Sequence, residues 1–149
     1  MPAYYIDMDT QGFLSPQTPD EVSDIYTQLG SSAQTITREA AKAMDFDEAE
    51  YNNRVTSEVV HTVHDALFSS LLEVKIGSQD EFETVRENHA EYSISLSGTE
   101  HVSNVAWHVA HIDNTIVATT FEEERTAAVS TLRRIVYGEV YQEYFNPTQ

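Results

Sequence analysis

The hydrophobic pattern of this chain changes its period about halfway along, and no other feature limits the fold as strongly. Between residues 18 and 71 the apolar side chains recur every three or four positions, which is typical of amphipathic helices. Further along, Tyr92–Ser97 alternates apolar and polar residues, which is typical of a strand with one buried face. Helices followed by strands predict an α+β fold, in which helices pack on a sheet.

Helix-capping residues predict where the first helices begin and end. Thr18 is expected to be the N-cap of the first helix, because Pro19 directly after it suits the first helical position. Gly30 is expected to end this helix, since glycine commonly follows a helix C-terminus. A second helix is then predicted over residues 31–44. Its apolar stripe contains Ile36, Ala40 and Met44.

A third helical stretch is predicted from an Asp47 cap to about Leu71, with a break near Thr56. Asn52 and Asn53 precede the break, and asparagine has low helix propensity. The apolar positions of this stretch are Tyr51, Val55, Val59, Val63, Ala66, Phe68 and Leu71.

The second half of the chain is predicted to consist mainly of strands. The expected strands are residues 73–76, 92–97, 104–112 and 115–121. Ser78 is expected to cap a helix over residues 80–88, and Asp113-Asn114 to form a two-residue hairpin turn. A long final helix is expected to begin near residue 122. Its apolar row contains Val129, Leu132, Val136 and Val140.

These elements predict N-terminal helices followed by a three- to four-stranded, mostly antiparallel sheet that is packed by a long C-terminal helix. The length of 149 residues is typical of one domain with a sizeable core. A single α+β domain is therefore expected over residues 1–149, with residues 1–18 as an extended or irregular N-terminal segment.

The charge of the chain is strongly negative, with 25 acidic and 8 basic residues and a net charge of −17. The acidic residues are spread evenly, 13 in residues 1–74 and 12 in residues 75–149. Such a surface repels itself in dilute salt, whereas near 1 M salt the Debye length is only about 3 Å and the repulsion is screened. The composition therefore favours a high-salt cytoplasm. The alternative is an acidic surface that meets a basic partner.

Three stretches resemble a family of short acidic proteins from salt-loving archaea. They are TPDEVSDIYTQLGSSAQTITREAAKAMDFDEAEY, HDALFSSLLEV and VAWHVAHIDNTIVATT, with AAVSTLRR and YG after them. The resemblance covers the chain from Met8 onward and leaves residues 1–7 outside. It implies a high-salt setting. The family has no established function, so the resemblance implies no catalytic residue.

Histidine offers the clearest candidate chemistry. His61 and His64 lie three residues apart on a predicted helix, which places both imidazoles on one face, close enough to share a metal ion. Glu58 lies on the same face, and His89, His108 or His111 could supply a third or fourth ligand. The simpler interpretation is a solvated helix face. His108 and His111 have the same spacing on a predicted strand, and residues three apart on a strand point to opposite faces.

Several functional classes lack support in the sequence. The chain has no cysteine, no apolar run long enough for a membrane span, and no signal-like N-terminus, so a cytoplasmic location is expected. No nucleophile motif or glycine-rich phosphate loop is present, and no cofactor is predicted. The basic pair Arg133-Arg134 is expected to bridge to surface carboxylates, and no nucleic-acid partner is predicted.

The C-terminal aromatic residues are candidates for a contact between chains. Tyr137, Tyr141 and Phe145 run beside the apolar row of the final helix, and aromatic residues are enriched in interfaces. They are predicted either to fill the core or to form a two-fold homodimer.

The sequence predicts a non-enzymatic interaction or accessory protein of a high-salt cytoplasm, which binds itself or another protein. The alternative is a metal-binding protein or metal-dependent hydrolase centred on His61 and His64. A third hypothesis is a small-ligand module with a pocket around Trp107.

Overall fold

The structure, a computed structural model, describes residues 9–99 and 101–145 and has the predicted α+β architecture. The strands are β1 (Asp9–Gln11), β2 (Val74–Ser78), β3 (Ser93–Ser97), β4 (Asn104–Ala110) and β5 (Thr115–Phe121). The helices are α1 (Pro19–Ala43), α2 (Glu48–Arg54), α3 (Ser57–Ser70), α4 (Gln79–Asn88) and α5 (Arg125–Val136). Within the described part of the chain, no helix has the length and hydrophobicity needed to cross a membrane. Part of the predicted irregular segment, residues 1–8, lies outside the described residues.

The five strands form one mixed sheet in the order β1-β2-β4-β5-β3. The pairs β1–β2, β2–β4 and β4–β5 are antiparallel, as predicted for most of the sheet, whereas β3 pairs with β5 in parallel. The edge strand β1 was not predicted. It has only three residues and no apolar alternation, and it pairs with β2 through its backbone, so the sequence pattern gives no sign of it.

The two faces of the sheet are covered by different helices. One face packs against α3 and α5, and α1 packs on α3. Val22 of α1, Phe68 of α3 and Leu132 of α5 are fully buried in the core on this side. The other face is covered by α4, whose Phe82 packs on Trp107 of β4 with ring centroids 5.4 Å apart. The predicted packing of the C-terminal helix on the sheet is confirmed.

The prediction that Gly30 ends the first helix is wrong, because α1 continues through this residue to Ala43. A Cβ atom at Gly30 would lie 3.6 Å from the His64 ring, an ordinary van der Waals contact, so this position faces α3. Ala33, Thr37 and Ala41, further along α1, are buried. A glycine inside a helix costs about 1 kcal/mol relative to alanine, and this cost is small enough for packing on α3 to offset it.

The predicted break at Thr56 is confirmed. The helix that was expected from Asp47 to Leu71 is divided into α2 and α3, and the Thr56 hydroxyl accepts a hydrogen bond from the Val59 backbone at 3.2 Å. The predicted caps at Thr18, Asp47 and Ser78 are also present. Each of these side chains accepts a hydrogen bond from a backbone N–H in the first turn of its helix.

Two connections differ from the predicted ones. Strand β4 ends at Ala110, and His111–Asp113 forms a 3₁₀ turn that Asn114 closes with a left-handed backbone, φ 49°. The connection is therefore longer than the predicted two-residue turn, and asparagine tolerates its left-handed position. After α5 the chain widens into a π-helical turn, Tyr137–Tyr141, and then a 3₁₀ turn, Gln142–Tyr144.

Candidate functional site

The predicted metal pair, His61 and His64, lies on α3 beside Tyr26 of α1. The His64 ring stacks on the Tyr26 ring with centroids 3.6 Å apart, and its Nε2 is hydrogen-bonded to the Tyr26 backbone carbonyl. His61 Nε2 lies 3.3 Å from the Asp65 carboxylate, which also accepts a 2.7 Å hydrogen bond from the Tyr26 hydroxyl. Both Nε2 atoms therefore have protein partners. Over residues 9–99 and 101–145, no three histidine or acidic side chains are grouped to hold a metal ion.

His108 lies on β4, whereas His111 lies in the 3₁₀ turn after it and not on the strand as predicted, and the two side chains contact different cores. His108 faces the α3 and α5 side and is buried, whereas His111 is hydrogen-bonded to the Tyr92 hydroxyl at 2.9 Å beside the other core. His108 Nδ1 lies 2.6 Å from the Glu73 carbonyl, and its Nε2 lies 2.7 Å from the Tyr141 hydroxyl. Burial lowers the pKa of His108 to about 4. The neutral ring therefore donates from Nδ1 and accepts at Nε2.

The C-terminal aromatic residues pack inside their own chain. Tyr141 has no exposed surface and lies in the core on the His108 side of the sheet, so its predicted role in a chain-to-chain interface is wrong. Phe145 and Tyr137 are partly buried against the same core, and the Phe145 ring stacks on Tyr26 with centroids 3.9 Å apart. The homodimer stays a prediction, but Tyr141 cannot contribute to it from this position.

The π-helical turn explains why Tyr141 is buried. In a regular α-helix, neighbouring side chains point about 100° apart, so Val140 and Tyr141 would not both face the sheet. The wider turn over residues 137–141 changes the angle between successive side chains. Both Val140 and Tyr141 are buried there. The tyrosine hydroxyl then reaches His108, and burial raises the pKa of Tyr141 above its usual range.

Trp107 is fully buried and packed against Phe82. Gly77 on the neighbouring strand also approaches it, because a Cβ atom there would lie 3.1 Å from the indole ring. The ring therefore fills space between β4 and α4. It does not line the open ligand pocket that the third hypothesis placed around it.

An apolar groove lies between α1, α2 and α3, and we call it the α1–α3 groove. It encloses about 450 Å³. The residues that line it are Ile36, Thr37, Ala40, Ala41, Met44, Phe46, Arg54, Val55, Val59 and Val63. Five large hydrophobic side chains in the described residues are more than a third exposed, and three of these line the groove: Ile36 at 45%, Met44 at 64% and Val59 at 40%.

A second cavity, of about 340 Å³, lies between α3 and α5, and we call it the α3–α5 pocket. The residues that line it are Asp65, Ala66, Ser69, Ser70, Ser130, Arg133, Arg134 and Tyr137. Among the described residues, no carboxylate lies within 4.0 Å of Arg133 or Arg134. The prediction that this arginine pair bridges to surface carboxylates is therefore wrong for the described part of the chain.

The sequence predicts part of the lining of each cavity but neither cavity itself. Ile36, Ala40 and Met44 form an apolar stripe in the sequence, and such a stripe normally predicts a buried face. Here it lies across from Val59 and Val63, and the ends of both rows stay partly exposed. The arginine pair was noticed, but its lack of partners depends on which elements surround it. No pattern along the chain contains that information.

Comparison with known proteins gives one match. A family model described as a family of unknown function, DUF5809, matches residues 13–142. No curated protein and no solved structure matches the chain. The resemblance to a family without an established function is confirmed to this extent.

Proposed function

The chain belongs to the DUF5809 family of unknown function, and from its structure we propose that it is a non-enzymatic interaction protein of a high-salt cytoplasm. Its binding surface in this proposal is the α1–α3 groove. The observation that carries the proposal is the concentration of exposed apolar side chains in this groove, where Ile36, Met44 and Val59 remain accessible. Clustered exposed apolar surface, unlike a scattered hydrophobic residue, is typical of an interaction site.

The shape of the groove suits a helix. Ile36, Ala40 and Met44 follow one another at intervals of four along α1, and Val59 and Val63 do the same along α3. Two parallel rows of apolar side chains on packed helices form the kind of groove that accepts the apolar stripe of an amphipathic helix. Met44 adds adaptability, because methionine is flexible and polarizable.

Charge favours a basic partner over a second copy of the chain. Residues 36–63 contain six carboxylates and three basic side chains. The carboxylates are Glu39, Asp45, Asp47, Glu48, Glu50 and Glu58. High salt screens the net charge of −17, but charge pairs in direct contact are screened less, so lysine and arginine beside an apolar stripe would complement these carboxylates whereas a second copy would not. We therefore propose an amphipathic helix with basic flanks as the occupant.

The surroundings of the histidines support the non-enzymatic part of the proposal. Their ring nitrogens are used in contacts that hold elements together: His64 to Tyr26, His108 to Glu73 and Tyr141. His89 Nδ1 likewise lies 2.9 Å from a backbone carbonyl of its own helix. A histidine that acts in catalysis needs a nitrogen directed toward substrate. In the described structure these nitrogens are directed toward protein.

Replacing Val59 by glutamate is expected to abolish binding in the groove. The test ligand is a synthetic leucine–lysine helix with leucines at i, i+3, i+4 and i+7, measured by fluorescence anisotropy in about 1 M KCl to suppress charge attraction. Because Val59→Glu places a carboxylate where the apolar stripe binds, affinity should fall about tenfold or more. Leu96→Glu is the matched control, since Leu96 on β3 is 38% exposed, close to the 40% of Val59, and the charge change is the same.

Three outcomes would contradict this proposal. The first is equal binding of a peptide with the same composition in scrambled order, and the second is unchanged binding by Val59→Glu. The third is a wild-type homodimer that Val59→Glu separates while Leu96→Glu does not, measured by light scattering against the chain mass of 16.8 kDa. That result would make the occupant a second copy.

The high-salt part of the proposal predicts a more stable fold in concentrated salt. Thermal unfolding in about 2 M KCl should have a Tm several degrees higher than in about 0.1 M KCl, because repulsion within a chain of net charge −17 is screened. Circular dichroism at a helical wavelength measures both transitions. An equal or lower Tm at the higher concentration would contradict a high-salt adaptation and favour the basic partner as the reason for the acidic surface.

A further inference from the structure

Among residues 9–99 and 101–145, the two arginines of the α3–α5 pocket have no carboxylate within 4.0 Å, although the chain has 25 acidic and only 8 basic residues. Arg133 is only partly exposed, and burial lowers its pKa from the usual value. A cation that loses water without gaining a partner is unfavourable. In so acidic a chain we expect an arginine to have a carboxylate beside it. The absence of such a carboxylate among the described residues therefore requires an explanation.

The pocket also contains hydrogen-bond donors that the described residues do not use. Arg133 donates its Nε–H to the Leu72 carbonyl at 3.0 Å, which leaves the other guanidinium N–H groups. Arg134 and Ser130 have no side-chain hydrogen bond to another described residue. The Tyr137 hydroxyl has no partner at hydrogen-bond geometry among the described residues, but the Asp65 carboxylate lies beside it as an acceptor. Burial raises the pKa of this hydroxyl above its usual range, and Asp65 raises it further.

We propose that the α3–α5 pocket is a binding site for a small organic oxyanion, held through its carboxylate or phosphate group by Arg133, Arg134 and the Ser130 hydroxyl. Guanidinium groups match the geometry of both oxyanions. A cavity of about 340 Å³ is within the range of small-molecule sites. The site is separate from the α1–α3 groove, so this inference does not depend on the proposed partner helix.

The opposite end of the pocket adds a second requirement for the ligand. The Ser69 hydroxyl donates to the Arg133 backbone carbonyl at 3.3 Å. Asp65 lies one turn earlier on α3, beside the Tyr137 hydroxyl, and is the acidic side chain of the pocket lining. The ligand should therefore carry a hydroxyl or ammonium donor on the side away from its anionic group.

The position of the arginines near the end of α5 accounts for only part of this arrangement. Cations near a helix C-terminus interact favourably with the helix dipole, which explains why basic residues suit this turn. The dipole does not explain why, among the described residues, no carboxylate lies within 4.0 Å of Arg133 or Arg134. A bound oxyanion explains it.

The experiment is a titration of the ¹⁵N-labelled protein with inorganic phosphate, acetate and glycolate in separate arms, each replacing chloride at constant ionic strength. Saturable shifts of the Arg133 and Arg134 side-chain N–H signals are expected, with a Kd on the order of millimolar. The arm with the lower Kd identifies phosphate or carboxylate as the preferred group. Glycolate has one hydroxyl more than acetate and should bind more tightly because of Asp65. Shifts that do not saturate would overturn the proposal, and equal binding of acetate and glycolate would overturn its second requirement.

Two variants separate this site from a general salt effect. Arg134→Gln should weaken binding about tenfold, because it removes a charge-assisted contact. Arg38→Gln is the matched control, since Arg38 is an exposed arginine on α1 outside the pocket and its loss changes the net charge equally. Ser130→Ala should weaken binding, because it removes a hydroxyl donor to the oxyanion. Equal losses in Arg134→Gln and Arg38→Gln, or unchanged binding by Ser130→Ala, would contradict the assignment.

Discussion

A glutamate in place of Tyr141 is expected to leave the protein unfolded at room temperature. Tyr141 has no exposed surface, and its ring packs on Phe68 with centroids 5.5 Å apart. The substitution removes this packing and buries a carboxylate whose neighbour, His108, is held neutral by burial. An uncompensated buried charge costs about 3–5 kcal/mol, and loss of a large aromatic ring costs about as much again. Together these costs approach the whole stability of a typical domain, about 5–15 kcal/mol.

Far-ultraviolet circular dichroism and urea unfolding test this expectation. Tyr144→Glu is the control, because Tyr144 lies in the next turn and is partly exposed, and the substitution introduces the same charge. It should remain folded. Tyr141→Phe should also fold, but with about 1–3 kcal/mol less stability, since His108 loses its donor. If Tyr141→Glu instead gives a folded monomer from a dimeric wild type, Tyr141 is an interface residue and the core assignment fails.

Lowering the pH is expected to destabilise the protein through His108. The pKa of this ring is depressed to about 4, mainly by burial, which outweighs the opposing hydrogen bond to the Glu73 carbonyl, whereas an unfolded histidine titrates near pH 6.5. Between about pH 6.5 and pH 4, the unfolded state therefore binds a proton at His108 that the folded state does not bind. The contribution of His108 to stability is complete above about pH 6.5 and declines as the pH falls toward 4. At about 1.4 kcal/mol per pH unit, the loss reaches about 3 kcal/mol.

The variant His108→Gln isolates this effect from the titration of the many carboxylates. Its amide can donate to the Glu73 carbonyl and accept from Tyr141, but it does not titrate. Free energies of unfolding from urea titrations between pH 7 and pH 4 should fall more steeply for the wild type than for the variant. Parallel curves would show that His108 is not the group responsible.

The sequence by itself determined those parts of the fold that depend on neighbouring residues. The N-caps at Thr18, Asp47, Thr56 and Ser78 follow from a hydrogen bond between a side chain and a backbone N–H three residues later. The strand over Ser93–Ser97 follows from alternation within five residues. Because each of these interactions lies within one turn or one short strand, the pattern along the chain contains all the information that it requires.

Only the tertiary structure decided which surfaces are covered. Gly30 has the local character of a helix terminator, but α1 passes through it because α3 packs beside it. Tyr141 is aromatic and therefore suits a core or an interface equally well. In the structure the π-helical turn places it in the core, where its hydroxyl contacts His108. The apolar row of Ile36 and Met44 stayed accessible because the neighbouring helices leave a groove there. Burial depends on contacts between residues far apart in sequence, such as the 33 positions between His108 and Tyr141, and local periodicity does not specify such contacts.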